Sequence, residues 1–397
     1  MLLGSIERKI IAPIYTEKMN AKSIQGKSPE EIKKVLSESM ADGFKPTLAI
    51  IILTNIEDAE PLREIFGASG IEIFGLTVPQ KFSEHGIAED DIVIMLLDMK
   101  PENFKIEIND YQGSSAYEVG YQTGSVGSNY FKNPVFIISP VDFQVSGDEL
   151  IRGLTDAAGY DSVVAGGIAG NPVDFSGIVF TNSASSKSGL LALILDQDHI
   201  SICGLAVSGW KPVGTSKKIT KTEGTWVYTI DDEPAMKVIQ RFLGNEIVLS
   251  NTEASGLLPS DLGYPLQFER ESGNVIMKPA LFLNPSDQSI MIGGHVKEGD
   301  KFRFSLPPDF DVIDKVIEST RTYKEEKMPD SDVLLVFSCV GRLGSFGPLI
   351  TTEIEGLAST WGKPMIGYFS LGEFGKLDEG RCEFHGTTVS WIALKEK

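Results

Sequence analysis

The sequence predicts an α/β to α+β protein, with mixed sheets carrying helices on their outer faces, built from a repeated strand, helix, strand, loop, strand unit. Apolar runs of strand length lie at residues 46–54 (PTLAIIILT), 134–140 (PVFIISP) and 332–339 (DVLLVFSC). Each precedes a helical pattern, at 58–68, 147–158 and 349–361, and then a short glycine-bearing strand: IEIFG, SVVAGG and PMIGYF. A loop and a further strand close each unit, at IVIMLLD from Ile92, GIVFTN from Gly177 and TTVSWIAL from Thr387. The connection lengths suit right-handed crossovers between parallel neighbours, with a hairpin-like return for the last strand.

The first helix has a legible start. Ser28 is placed as N-cap, Pro29 at the first helical position and Glu31 at the third; Ile32, Val35, Leu36 and Met40 share one face, and Gly43 marks the end. Between Gly189 and Trp210, two apolar runs separated by Gln197 and Asp198 predict an antiparallel hairpin. Residues 251–264 (NTEASGLLPSDLGY) lack apolar periodicity and predict a domain boundary. The expected organisation is an N-terminal segment (1–44), a first module (45–250) and a second module (251–397).

A chain of 397 residues exceeds what one core usually supports, which favours two domains. A formal net charge of −19 repels phosphate backbones and anionic lipid, so neither nucleic acid nor membrane is the expected partner. Cys203, Cys339 and Cys382 have no zinc-like spacing and no disulfide framework. The start MLLGSIERKI lacks a long apolar segment after its basic residues, and the expectation is a cytoplasmic protein in a reducing compartment.

Three stretches together resemble the FIST family: AGGIAGNPVDFSGIVFTN (165–182), GWKPVGTSKKITKTEGTWVYTIDDEPAMKVIQRFLG (209–244), and FSCVGRLGSFGPLITTEIEG (337–356) with GKPMIGYFSLGEFGKLDEGRCEFHGTTVSWIAL (362–394). The likeness runs over roughly 45–394 in order and spacing. One departure is the loop FGLTVPQKFSEHG at 74–86, a loose version of the family's small-residue pattern. The resemblance implies a sensory protein with FIST N-terminal and C-terminal modules that binds a small ligand, of the amino-acid kind. It also implies a separate signalling partner such as a kinase or chemoreceptor, because the chain leaves no room for a fused output domain.

Residues near these glycines are the candidate binding groups. In GWKPVG, Trp210 would wall a pocket or cap the core, Lys211 would meet a carboxylate, and Gly214 permits positive φ. Gly166 and Gly167 belong to the glycine-rich turn of the second unit. Cys339, Gly341 and Arg342 sit where a buried strand runs into what reads as a loop, and Arg342 either binds a carboxylate or pairs with Glu353 or Glu355. Glu373, read on the loop SLGEFG, would accept from an ammonium group, making a two-ended clamp with Lys211 or Arg342. No cofactor is expected. Three rival readings remain: a Cys339, His385 and Glu373 nucleophilic set; a haem site using His85 or His385, with His199 and His295 the other histidines; and a scaffold presenting Phe346 or Phe374 to a protein.

Overall fold

A computed structural model describes residues 19–88, 91–142, 145–243, 265–270, 274–306, 309–378 and 380–397. The expected boundary at 251–264 lies outside the described residues.

Three repeats of one topology make up most of the chain. The first contains β1 (Ala21–Gly26), α1 (Pro29–Ser39), β2 (Leu48–Leu53), α2 (Ala59–Ala68), β3 (Glu72–Thr77), the hairpin β4 (Lys81–Ser83) and β5 (Gly86–Ala88), and β6 (Ile92–Leu97). The second contains β7 (Phe104–Asp110), α3 (Ala116–Tyr130), β8 (Pro134–Pro140), α4 (Gly147–Ala158), β9 (Val164–Gly167), the hairpin β10 (Val179–Phe180) and β11 (Ser185–Ser186), and β12 (Gly189–Asp196). The third opens with β13 (Ile200–Val207) and is then interrupted by a separate sheet. That sheet holds β14 (Pro212–Glu223), β15 (Trp226–Ile230), β16 (Glu233–Pro234), β17 (Leu266–Glu269), β18 (Val275–Lys278), β19 (Ala280–Asn284), β20 (Ser289–Ile292) and β21 (Lys301–Ser305), with α5 (Ala235–Leu243) packed on it. The repeat resumes with α6 (Phe310–Lys327), β22 (Val333–Cys339), α7 (Val340–Phe346), α8 (Ile350–Trp361), β23 (Met365–Ser370), the hairpin β24 (Glu373–Lys376) and β25 (Cys382–His385), and β26 (Val389–Glu396).

Strand orders match across the repeats: β1-β6-β2-β3, β7-β12-β8-β9 and β13-β26-β22-β23. Within each, the two strands joined through a helix are parallel and the last strand returns antiparallel beside the first of them, not beside the second. The side chains alternate along each central strand as a two-faced sheet requires. Leu48, Ile50 and Ile52, Val135 and Ile137, and Val333, Leu335 and Phe337 converge in one core shared by all three sheets. The opposite faces lie under α1 and α2, α3 and α4, or α6 and α8.

The hairpins are exchanged. β4 pairs with β23, β10 pairs with β3, and β24 pairs with β9, so every repeat lends its hairpin to another and the circuit closes. In each exchange a phenylalanine lies opposite a glycine: Phe82 opposite Gly367, Phe180 opposite Gly75, and Phe374 opposite Gly166. The missing Cβ is what admits the ring at two of them, since a Cβ on Gly75 would lie 2.4 Å from Phe180 and one on Gly367 2.3 Å from Phe82.

Several expectations are corrected by this arrangement. GIVFTN, assigned to the second unit's own sheet, supplies β10 to the first sheet. The runs at 189–196 and 200–207 are not a hairpin, because β12 is held between β7 and β8 while β13 pairs with β26. Residues 197–199 have no positive φ, which the two-residue turns of tight hairpins need. Ser28 does cap α1 by accepting from Glu31 N at 3.3 Å, with Pro29 at its first position.

Gly367→Ala should destabilise the protein by about 1–3 kcal/mol or more through overpacking, and by more than Gly75→Ala. Its new Cβ also meets Val336 O at 2.4 Å, a backbone atom that cannot rotate away, whereas the Gly75 neighbour is a side chain. Denaturant unfolding of both variants measures the order.

Candidate functional site

The carboxyl ends of the parallel strands face the same loops. Gly170 N donates to Thr77 O (3.1 Å), Ile168 N to Gly372 O (2.9 Å), Leu371 N to Ile168 O (3.0 Å) and Phe369 N to Gln80 O (3.1 Å). First, second and third repeats are thereby joined in a closed ring of backbone bonds. The glycine-rich loops named from the sequence do come together here, but mainly against one another. A cavity of about 60 Å³ between residues of the first two repeats is room for a few waters.

Glu373 is the most enclosed of the sequence-proposed groups. It opens β24, not a loop, and is fully buried. Oε1 accepts from Ser370 Oγ at 2.6 Å, Oε2 accepts from Thr388 N at 3.3 Å, and the Cys339 thiol also bonds this carboxylate. Burial raises the Glu373 carboxyl well above the ordinary glutamate range, more than its hydrogen bonds lower it. Burial pushes the Cys339 thiol up in the same way, and the neighbouring Glu373 carboxylate adds to the effect. His385 is buried and its Nε2 lies 3.2 Å from Gly375 O; desolvation depresses it to about 4. Tyr368 links the repeats, its hydroxyl 2.7 Å from Ser139 Oγ and donating to Gly167 O at 2.5 Å. Gly166 and Gly167 stand opposite Phe374 and Glu373 across the exchanged strand.

Arg342 lies beside this cluster on α7, a short helix where the sequence reads as a loop. Gly341 and Gly344 are helical, and only Gly347 at its end takes positive φ (52°). The guanidinium is fully buried against Glu353 on α8, with Nε donating to Oε1 at 3.0 Å and Nη2 bonding Oε2. Nη1 donates to Ser208 O (2.8 Å) and Thr387 O (3.1 Å). Trp210 Nε1 donates to the same Thr387 oxygen (3.1 Å), and its ring stacks on Phe346 at 5.8 Å. Arg342 therefore makes the ion pair foreseen as one of its two readings. Phe346 and Phe374, named as exposed aromatics, are buried instead because each packs into a hydrophobic cluster.

The ends of GWKPVG diverge. Lys211 Nζ binds Asp309 (2.9 Å) and Asp311 (2.6 Å) at the start of α6, and Gly214 is exposed on β14 with φ 72° and open space around it. The arrangement thus gathers Trp210, Cys339, Gly341, Arg342, Glu373, Gly166 and Gly167 within one packed end of the sheets, and leaves Lys211 and Gly214 outside it. Among the histidines, His85 and His199 have largely exposed side chains beside Glu84 and Asp196. Among the described residues, no group of three or more His, Cys, Asp and Glu is placed to hold a metal ion.

Open space lies on the other side of Trp210. A cleft of about 650 Å³ is bounded by the end of β13 with Ser208, Gly209 and Trp210, by α6, and by Asn274 and Val275 of the interrupting sheet. Lys315, Glu318, Ser319, Thr322, Tyr323 and Glu326 line it at helical spacings of three and four, with Asp378 across from them. Its volume falls in the range of small-ligand sites, about 300–1,000 Å³. Sequence reasoning missed this wall because a polar helix face is what solvent alone would select.

The FIST N domain model matches residues 48–233 and the FIST C domain model residues 235–376. The chain belongs to the FIST family. FIST modules are signal-transduction sensor domains, and this chain carries both. The cleft is lined from both matched stretches, by residues 205–210 of the FIST N domain and by residues 274–326 of the FIST C domain. No curated protein matches the chain.

Arg342→Met should cost about 3–5 kcal/mol of stability, because it strands a buried Glu353 carboxylate. The double variant Arg342→Met with Glu353→Leu should recover most of that loss. Chemical denaturation of the single and double variants checks both.

Proposed function

We propose that this FIST protein senses a small polar metabolite, an amino acid or a related compound, bound in the cleft beside Trp210, and reports to a separate signalling partner such as a kinase or chemoreceptor. The observation that carries the reading is the double role of the segment 208–210. It lines the cleft, and through Ser208 O and the Trp210 indole it joins the hydrogen-bond network of Arg342, Glu353 and Thr387. A ligand that shifts Trp210 would change the packing of Phe346 and, through Glu353, the seat of α8.

Both signs of charge line the cleft, with Lys315 for a carboxylate and Glu318, Glu326 or Asp378 for an ammonium group. A non-enzymatic role is supported by the Cys339 thiol, which burial keeps protonated and shields from any substrate. A ligand that binds only the folded state stabilises it by about 2.7 kcal/mol at a hundredfold excess over Kd.

A thermal-shift screen against amino acids and related carboxylates should therefore find a ligand class whose effect grows with concentration. Lys315→Ala and Glu318→Ala, both at exposed positions of α6, should each abolish or strongly reduce that shift with little change in the unliganded melting temperature. A screen in which no compound shifts the protein, or in which both variants respond as fully as the parent, would rule the cleft out as the sensing site.

A further inference from the structure

Glu373 opens β24, the strand that the third repeat lends to the second, and stands opposite Gly167 of β9. Its hydrogen bonds do not balance if the carboxyl is an ion. Ser370 Oγ lies 2.6 Å from Glu373 Oε1 and 3.2 Å from Ser338 O, and both oxygens are acceptors when the glutamate is charged. A serine hydroxyl has one hydrogen to give, so one of the two contacts is left without it. As a carboxylic acid the residue satisfies both: Oε1–H donates to Ser370 Oγ, and Ser370 donates on to Ser338 O. Oε2, then the carbonyl oxygen, keeps the bond from Thr388 N at 3.3 Å.

Charge leads independently to the same protonation state. Glu373 is fully buried, and an isolated buried carboxylate is so unfavourable that such a group normally takes up a proton. Arg342 is the cation that acts on it, but its guanidinium is already matched by Glu353, which is equally buried. The other ionisable groups around Glu373 supply no positive charge. Cys339, at the end of β22, is a thiol that bonds the carboxyl, and Tyr368 of β23 is a phenol raised by burial. His385, opposite Glu373 in the β24–β25 pair, is neutral because burial depresses it to about 4. The stretches of β9, β13 and β26 that pack on β24, at 164–167, 204–207 and 389–391, contain no titratable residue.

We propose that Glu373 is a neutral acid in the folded protein at neutral pH, and that its proton is a latch between the third repeat's own sheet and the hairpin it lends to the second. At alkaline pH the proton leaves to solvent, Ser370 turns its hydrogen to the carboxylate, and Ser338 O loses it. An uncompensated charge is then left where β24 meets β9, so alkali weakens the fold at the point where the repeats join. The latch is separate from the cleft and does not depend on the sensing reading.

The test compares the parent with Glu373→Gln, whose amide donates to Ser370 as the acid does, by chemical unfolding across pH. Because burial raises this carboxyl, the unfolded chain releases the proton in the ordinary glutamate range while the folded chain retains it. The stabilising contribution is therefore complete below about pH 4.5 and is lost as pH rises through the folded value. Between about pH 5 and about pH 8 the unfolding constant of the parent should rise at least about tenfold relative to that of Glu373→Gln, the limit for one proton being about tenfold per pH unit. Cys339→Ala should keep this dependence, which assigns it to the carboxyl and not to the thiol. In the parent itself, with glutamate 13C-labelled at Cδ, one carboxyl signal should stay in its protonated position through about pH 7, a readout that holds even if Glu373→Gln fails to fold. Parallel pH profiles of parent and Glu373→Gln, loss of the dependence in Cys339→Ala, or titration of every glutamate carboxyl in the ordinary range would overturn the proposal.

Discussion

Each sheet of the three repeats has an edge strand, β3, β9 or β23, whose outer hydrogen-bonding groups would otherwise face water or another chain. The exchanged hairpins cover those edges, and the loops leading to them bond one another at Thr77 and Gly170, Ile168 and Gly372, and Phe369 and Gln80. No repeat can complete its own sheet. The shared apolar core follows, because only when all three sheets stand in this circuit do residues such as Ile50, Ile137 and Leu335 meet. The glycines opposite Phe82 and Phe180 are the local condition for the circuit, since a side chain there would keep the hairpin from seating.

Polar groups are buried where the circuit closes, and Glu373, Tyr368 and Arg342 are each held by more than one partner. Glu373 sits on an exchanged strand and reaches Ser370 and the Thr388 backbone, while Tyr368 reaches from the third repeat to Ser139 and Gly167 of the second. Arg342 and Glu353 extend this network outward to Ser208 and Trp210. A buried ion pair is a weak source of stability, because desolvating both charges offsets much of their attraction. Its geometric consequence is firmer: α7, α8, the end of β13 and the turn at Thr387 share one guanidinium. A disturbance at the cleft therefore meets the frame at a point where four segments are already joined.

Much of this architecture was legible in the sequence. The runs at 46–54, 134–140 and 332–339 read as strands buried on both faces, because consecutive apolar residues can be accommodated only when both faces are covered. The glycines of IEIFG, SVVAGG and PMIGYF were visible as punctuation, but their partners were not, since pairing between distant segments leaves no local signal. The same limit explains β10, whose sequence position suggests the second sheet although it pairs in the first. It explains β12 and β13 as well, where a short connection between two apolar runs imitates a hairpin. In the site, FSCVGRLGSFG read as a loop because glycine disfavours helix; α7 forms nonetheless, and Gly341 fits there because a Cβ would already be 3.2 Å from Thr387 Cγ2. The cleft itself was invisible, for a helix face of Lys315, Glu318, Thr322 and Glu326 carries no mark that another sheet stands opposite.

The interlocking of the three repeats is the claim on which the other readings stand, and native-state hydrogen exchange tests it most directly. If the exchanged hairpins make one cooperative unit, the slowest amides of β2, β8 and β22, and those of Ile168, Gly170 and Phe369, should open with a common free energy and a common denaturant dependence. If one repeat opens at a clearly lower free energy while the other two stay protected, the circuit does not bind them into one unit and the account is wrong.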